Sequence, residues 1–151
     1  MTCRLTTMLI ACLALPLPAL GWDLHKQRDS VTTSQFSGQY ILTMHCRRGS
    51  NQLEFNLHDQ TLRGDLFQGV RTVMMWIEAP DGRMDKWSSA VSPEGPSLSG
   101  LFVVSSYTLD FFGNAKSMSI VDTLGSRRVL FESDMKGTGA ARIAFRERCG
   151  V

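Results

Sequence analysis

The chain has no glycine-rich phosphate loop followed by Lys-Ser or Lys-Thr, no G-x-S-x-G elbow and no Cys/His spacing of a zinc site. Phosphate-loop, α/β-hydrolase and structural-zinc chemistry therefore have no motif to rest on. Histidine is scarce: His25, His45 and His58 are the only three, well separated, whereas a zinc centre needs three or four converging ligands. One route to a shared site stays open, a hairpin that brings His45 to His58. Carboxylates are scattered too. The nearest to a pair is Glu132 with Asp134, on one face of a strand end, and a glycosidase needs a cleft as well as spacing. The reading is accordingly no enzyme, no catalytic residue, no cofactor and no metal. Repeats and low-complexity tracts are absent as well.

The chain also lacks an apolar run long enough to span a bilayer, since Pro16 and Pro18 interrupt the only candidate. That segment has the layout of a secretory signal peptide. Arg4 supplies the positive start, an apolar stretch runs to Leu20, and Ala19 and Gly21 place small side chains at the third and first positions before a cut ahead of Trp22. The expected organisation is a signal peptide over 1–21 and a single β-rich domain over 22–151, periplasmic or secreted, with no stable membrane insertion. A competing reading is lipid attachment at Cys12, within Leu9-Ile10-Ala11-Cys12; the stretch that stays apolar through Leu20 argues against it.

Charge surplus is missing too. Removing 1–21 removes one basic residue, Arg4, and no acidic one, which leaves 15 Lys+Arg against 14 Asp+Glu. A nearly neutral domain offers no basic face for nucleic acid. Cysteine is equally sparse: Cys3 and Cys12 leave with the signal, so Cys46 and Cys149 remain and are expected to pair in an oxidising compartment. The bridge would close a loop of about 100 residues, for which chain entropy predicts roughly 4 to 5 kcal/mol.

What is present is mainly alternation. Tyr40, Leu42, Met44 and Cys46 share one face of a predicted strand, Arg48-Gly49-Ser50-Asn51 is turn chemistry, and Leu53, Phe55 and Leu57 return as the second half of a hairpin. After a polar loop over 59–69, the run 70–78 is apolar on both faces, Val73, Met75 and Ile77 against Met74 and Trp76, and predicts a central strand. Pro80-Asp81-Gly82 turns it into a strand over 84–90 carrying Trp87, and Ser92-Pro93-Glu94-Gly95-Pro96 is expected to break the order. Leu101 to Val104 predicts a strand and Ser106 the cap of a short helix closed by Gly113-Asn114. Met118 to Val121 and Val129 to Phe131 are extended, joined by a turn at Gly125-Ser126. From Thr138 the period becomes helical: Ala141, Ala144, Phe145 and Cys149 share a face, Arg142, Arg146 and Glu147 lie opposite, and Gly150 is the stop. The fold class is mostly β with helices (α+β), an antiparallel β-sandwich-like domain with a short internal helix, a C-terminal amphipathic helix and one disulfide.

The order of Cys46, Met75-Trp76-Ile77-Glu78, Trp87, Leu109-Asp110-Phe111-Phe112-Gly113, Phe131-Glu132 and Arg148-Cys149-Gly150 resembles the VasI-like family of small exported proteins encoded with type VI secretion systems. In that family a core cysteine follows an early strand and a last amphipathic helix ends in the second cysteine. The likeness spans about Tyr40 to Gly150. Where the family has an Arg and an Asp before a Trp, this chain has Trp76 and Glu78. The resemblance implies an accessory protein of type VI secretion.

The expected role is binding to another protein without a cofactor. Candidate contact residues lie on two turns, Arg47, Arg48 and Asn51 on the first and Asp81, Gly82 and Arg83 on the second, because loops on a rigid scaffold commonly carry recognition. The opposing reading makes them solvated turns. A competing surface is the Met74–Trp76 face, which is core if the C-terminal helix covers it and a binding surface if it stays open. The alternative function is an inhibitor or immunity-type protein against a cell-wall hydrolase such as lysozyme, suggested by Cys46-Arg47-Arg48-Gly49.

Overall fold

Strict alternation of buried and half-exposed residues builds this domain strand by strand, each strand turning one apolar row inward. The computed structural model describes residues 21–124 and 127–150. The expected signal peptide apart from Gly21, with Cys3, Arg4 and Cys12, and the expected turn at Gly125 and Ser126 lie outside the described residues. Strands β1 (Asp23–Lys26), β2 (Ser30–Ser37), β3 (Tyr40–Arg47), β4 (Gln52–Asp59), β5 (Thr72–Glu78), β6 (Met84–Glu94) and β7 (Ser97–Val103) are followed by helix α1 (Ser106–Gly113). Strands β8 (Ser117–Asp122) and β9 (Val129–Asp134) and helix α2 (Thr138–Cys149) complete the order.

All nine strands join one antiparallel sheet in the order β1-β2-β3-β4-β7-β6-β5-β8-β9. The mostly β architecture, the short internal helix, the C-terminal helix and the disulfide are as the sequence predicts. The two layers arise by curling one sheet into a half-barrel rather than by stacking two sheets. The long strand β6 makes the curl. Its first part, Met84–Ala90, pairs with β5, and its last part, Val91–Glu94, pairs with β7. At the junction the Ser89 hydroxyl accepts the Leu101 amide (2.9 Å) and donates to the Ala90 carbonyl (2.7 Å), serving backbone groups that the bend takes out of the ladder.

Several boundaries differ from expectation: β7 begins at Ser97 rather than Leu101, and β9 runs to Asp134 rather than Phe131. Pro93 does not end β6; it pairs with Leu98 where β6 has β7 on one side only, the edge position at which a strand tolerates proline. The cap of α1 is Ser105, not Ser106: its hydroxyl accepts the Thr108 amide (3.3 Å) while the Thr108 hydroxyl accepts the Ser105 amide (2.8 Å), a reciprocal capping box. Strands β1 and β2 have no counterpart in the sequence reading. On β2 the inward positions after Val31 are Thr33 and Gln35, so the apolar alternation is lost. Both polar groups are satisfied: the Thr33 hydroxyl donates to the Asp23 carbonyl (2.7 Å), and the Gln35 amide nitrogen donates to the Ser133 hydroxyl (2.8 Å), tying β2 to β9 across the seam of the half-barrel.

The inner face holds Leu42, Met44, Leu53, Leu57, Val73 and Ile77 with the helix residues Leu109, Phe112, Ala144 and Phe145. An aromatic series crosses it. Trp22 meets Phe112 edge-on at 5.4 Å, Phe112 stacks on Trp87 at 5.7 Å, Trp87 meets Phe102 at 5.8 Å, and Phe102 stacks on Phe55 at 4.5 Å. Helix α2 packs on α1 and against β1, β2 and β3. Gly113 permits that approach, because a Cβ there would fall 2.5 Å from Cδ of Arg142. Two guanidiniums of α2, Arg142 (3.2 Å) and Arg146 (3.0 Å), converge on the Asp110 carboxylate of α1.

The segment 60–69, polar in the sequence, returns Phe67 and Val70 to the core. Asp59 organises its start from a fully buried side chain, accepting from the Thr61 amide (3.0 Å) and hydroxyl (2.8 Å), with Arg63 at 3.5 Å. Burial pushes the Asp59 carboxyl up, but the Thr61 hydrogen bonds and the Arg63 charge outweigh it and hold it below the ordinary aspartate value. A depressed carboxylate adds stability that is complete above its unfolded value of about 3.9 and is lost as pH falls through the lower folded value. Urea midpoints of wild type and Asp59→Asn should therefore lie furthest apart at neutral pH and converge in acid below about pH 4. A gap that stays constant into acid would show that Asp59 acts without its charge.

Candidate functional site

The first turn singled out in the sequence meets the chain just before α1, at Val104, and the second meets α1 itself, at Phe111. The first joins β3 to β4. There Arg48 pairs with Asp29 (3.2 Å), the Gly49 amide donates to the Cys149 carbonyl (2.8 Å), and the Asn51 carbonyl accepts the Val104 amide (2.8 Å). Arg47 is exposed beside them. The second joins β5 to β6. There the Asp81 carboxylate accepts from the Arg83 guanidinium (2.7 Å) and amide (3.1 Å), and the Arg83 guanidinium also lies 5.8 Å from the Phe111 ring. The Arg83 hydrogen bonds hold the Asp81 carboxyl below its ordinary value. Gly82, at φ 83°, supplies the left-handed residue this turn needs. The backbone of the first turn and the side chains of the second are thus engaged within the domain.

The histidine and carboxylate expectations resolve through register. Across β3 and β4, His45 stands opposite Glu54 and His58 opposite Ile41, so the hairpin separates the two imidazoles. His45 shares a hydrogen bond with the Thr32 hydroxyl (2.9 Å) and His58 with that of Ser97 (2.9 Å). Among the described residues no group of three or more His, Cys, Asp or Glu is placed to hold a metal ion. Glu132 and Asp134 do share the outer face of β9.

That outer face is where the Met74–Trp76 row lies, and among the described residues it is open. Helix α2 is elsewhere, and Trp76 is 37% exposed, against 6% for Trp22 and 4% for Trp87. Register builds the surface in three rows running across the strands. Met84, Glu78, Ser117 and Asp134 form the first; Lys86, Trp76, Ser119 and Glu132 the second; Ser88, Met74, Val121 and Val129 the third. Met84 and Val129 are 53% and 47% exposed, so apolar side chains stand free in both flanking rows.

The first two rows, apart from Lys86, line a shallow groove of about 770 Å³. Glu78 accepts from the Ser117 hydroxyl (3.1 Å) and lies 3.8 Å from the Lys116 ammonium, while an Asp134 oxygen accepts the Lys136 amide (3.1 Å). Glu132 has no hydrogen-bond or ion-pair partner for its carboxylate among the described residues. A second groove of about 510 Å³ over Thr43, Glu54, Asn56, Ser92 and Ser99 has no exposed aromatic ring in it. The sequence signal for the Trp76 surface was a strand apolar on both faces. Its extension to Met84, Ser117, Ser119, Glu132 and Asp134 needed the pairing of β5 with β6 and β8, and of β8 with β9.

No helix among the described residues is long and apolar enough to cross a membrane, and Cys46 is bonded to Cys149. Compared with protein-family models, with curated proteins and with solved structures, this chain has no significant match.

Proposed function

We propose that this is an exported protein, periplasmic or secreted, that acts without catalysis by docking another protein on the outer face of β5 and β8 around Trp76. The observation that carries the reading is the half-exposed Trp76 with Met84 near it on a sheet face left open among the described residues. Tryptophan and methionine are enriched at the centres of interfaces, and exposed together on a small domain they mark a contact surface. The disulfide accords with export, since such bonds persist in oxidising compartments. An accessory role in type VI secretion rests on the family resemblance, and a hydrolase inhibitor is the alternative that a lysozyme turbidity assay separates from it.

A photo-activated cross-linking residue placed at position 76 in the producing cell is expected to form a discrete adduct, and one at position 48 or 83 is not. Trp76→Ala should weaken capture of the cross-linked partner by roughly 30-fold or more, the scale of an interface anchor, while leaving the melting temperature within a few degrees. Arg48→Glu with Arg83→Glu breaks only solvent-exposed ion pairs, which contribute little to stability, so the melting temperature should barely move and capture should persist. Adducts only from positions 48 and 83, or capture abolished by the two charge reversals, would transfer the site to the turns.

A further inference from the structure

The groove beside Trp76 carries a charge of its own. Its lining has three carboxylates, Glu78, Glu132 and Asp134, against the ammonium of Lys116, with Lys86 outside the lining across from Trp76, in a domain with almost no net charge. Lys116 lies 3.8 Å from Glu78, whereas Glu132 is exposed and has no partner among the described residues. Partners select such a surface by carrying the opposite sign, because complementary charge steers encounter and like charge is rejected. An indole face prefers the same sign of ligand, since arginine and lysine bind over tryptophan within about 6 Å of the ring centre.

Spacing defines the form of the occupant. Trp76, Ser119 and Glu132 stand in register on three neighbouring strands, so Trp76 and Glu132 are two strand intervals, about 10 Å, apart. Side chains at alternate positions of an extended peptide leave the same face about 7 Å apart. Two basic side chains so placed reach Trp76 and Glu132 together, one stacked on the indole and the other paired with the carboxylate. Ser117 and Ser119 offer hydroxyls along the floor, and Met84 closes one end.

We infer that the partner docks an extended segment bearing arginine or lysine at alternate positions across β5, β8 and β9, one cation on Trp76 and the next on Glu132. The inference rests on the reading of this face as the docking surface. The probe is a short acetylated peptide alternating arginine and threonine, titrated into isotope-labelled protein beside counterparts with glutamate or glutamine in place of arginine. A neutral N-acetylglucosamine oligomer forms the fourth arm.

The arginine peptide is expected to shift the Trp76 indole and the Ser117 and Ser119 amides, to bind at least tenfold more tightly than either counterpart, and to weaken with salt. Glu132→Lys should lower its affinity at least tenfold, and Glu132→Gln by less. Equal binding of the three peptides at Trp76 would overturn the charge selection while leaving protein docking on this face intact. Shifts at Trp76 from the saccharide alone would overturn the inference in favour of a glycan site. No shift at Trp76 from any ligand would overturn it too, and if position 76 also forms no cross-link, the docking face itself falls.

Discussion

Replacing Cys46 and Cys149 together by serine is expected to lower the stability of the domain by about 2 to 5 kcal/mol. The bond joins the end of β3 to the last residue of α2 across 103 positions, with Cα atoms 6.0 Å apart. Both cysteines are buried. The long loop matters because the unfolded chain loses most freedom when distant residues are tied. Helix α2 has its own hold on the fold through Phe145, Ala144 and the Asp110 ion pairs, so the serine variant should still fold, with a lower urea midpoint. An unchanged midpoint at unchanged slope would show that the core alone retains the helix.

Truncating Trp22 is expected to have an effect of similar size. Its indole nitrogen donates to the Asp134 carbonyl (3.3 Å), its amide donates to the Lys136 carbonyl (3.2 Å), and its ring meets Phe112 at the head of the aromatic series. The side chain thereby fastens the segment entering β1 to the end of β9 and to α1. Trp22→Ala removes a large buried ring and leaves a cavity, a change worth about 3 to 5 kcal/mol. For a domain of this size that corresponds to a fall in melting temperature of roughly 10 to 20 °C. Trp22→Phe, which keeps a ring against Phe112 but not the indole hydrogen bond, should lose clearly less. A melting temperature within about two degrees of wild type for Trp22→Ala would refute the anchoring role. The expected signal cut falls just ahead of this residue, so a cut one residue later would cost the mature protein the same contacts.

Legibility differed from element to element for physical reasons. Strands β3, β4 and β5 were readable because their inward positions are apolar as far as the buried Asp59 that ends β4, and α2 because Ala141, Ala144, Phe145 and Cys149 recur at helical spacing. Strand β2 was not, since Thr33 and Gln35 face inward and are satisfied only by Asp23 and Ser133, partners 10 and 98 residues away. The loop over 60–69 looked solvated because the Asp59 contacts that let Phe67 return to the core leave no periodic trace. Among candidate contact residues, the turns were found from their glycines and charges. Nothing local could reveal that Asp29 and Phe111 already engage Arg48 and Arg83.

Taken by itself, the sequence determined those properties that depend on composition and short-range period: a β-rich domain, a helix at each expected place, two cysteines available to pair, and a domain with little net charge. Each follows from side chains within a few residues of one another, or from counting. Tertiary structure alone decided which face of β5 stays open. Val73, Met75 and Ile77 on one side and Met74 and Trp76 on the other are nearly equal in apolar character, so alternation cannot say which row turns inward. The curl of the sheet at β6 and the seat of α2 against β1, β2 and β3 place the first row in the core and leave Trp76 outside. The same pairing sets Glu132 and Asp134 of β9 beside Trp76 of β5, 56 and 58 residues away in the chain (132 − 76 and 134 − 76), a proximity that only strand register creates.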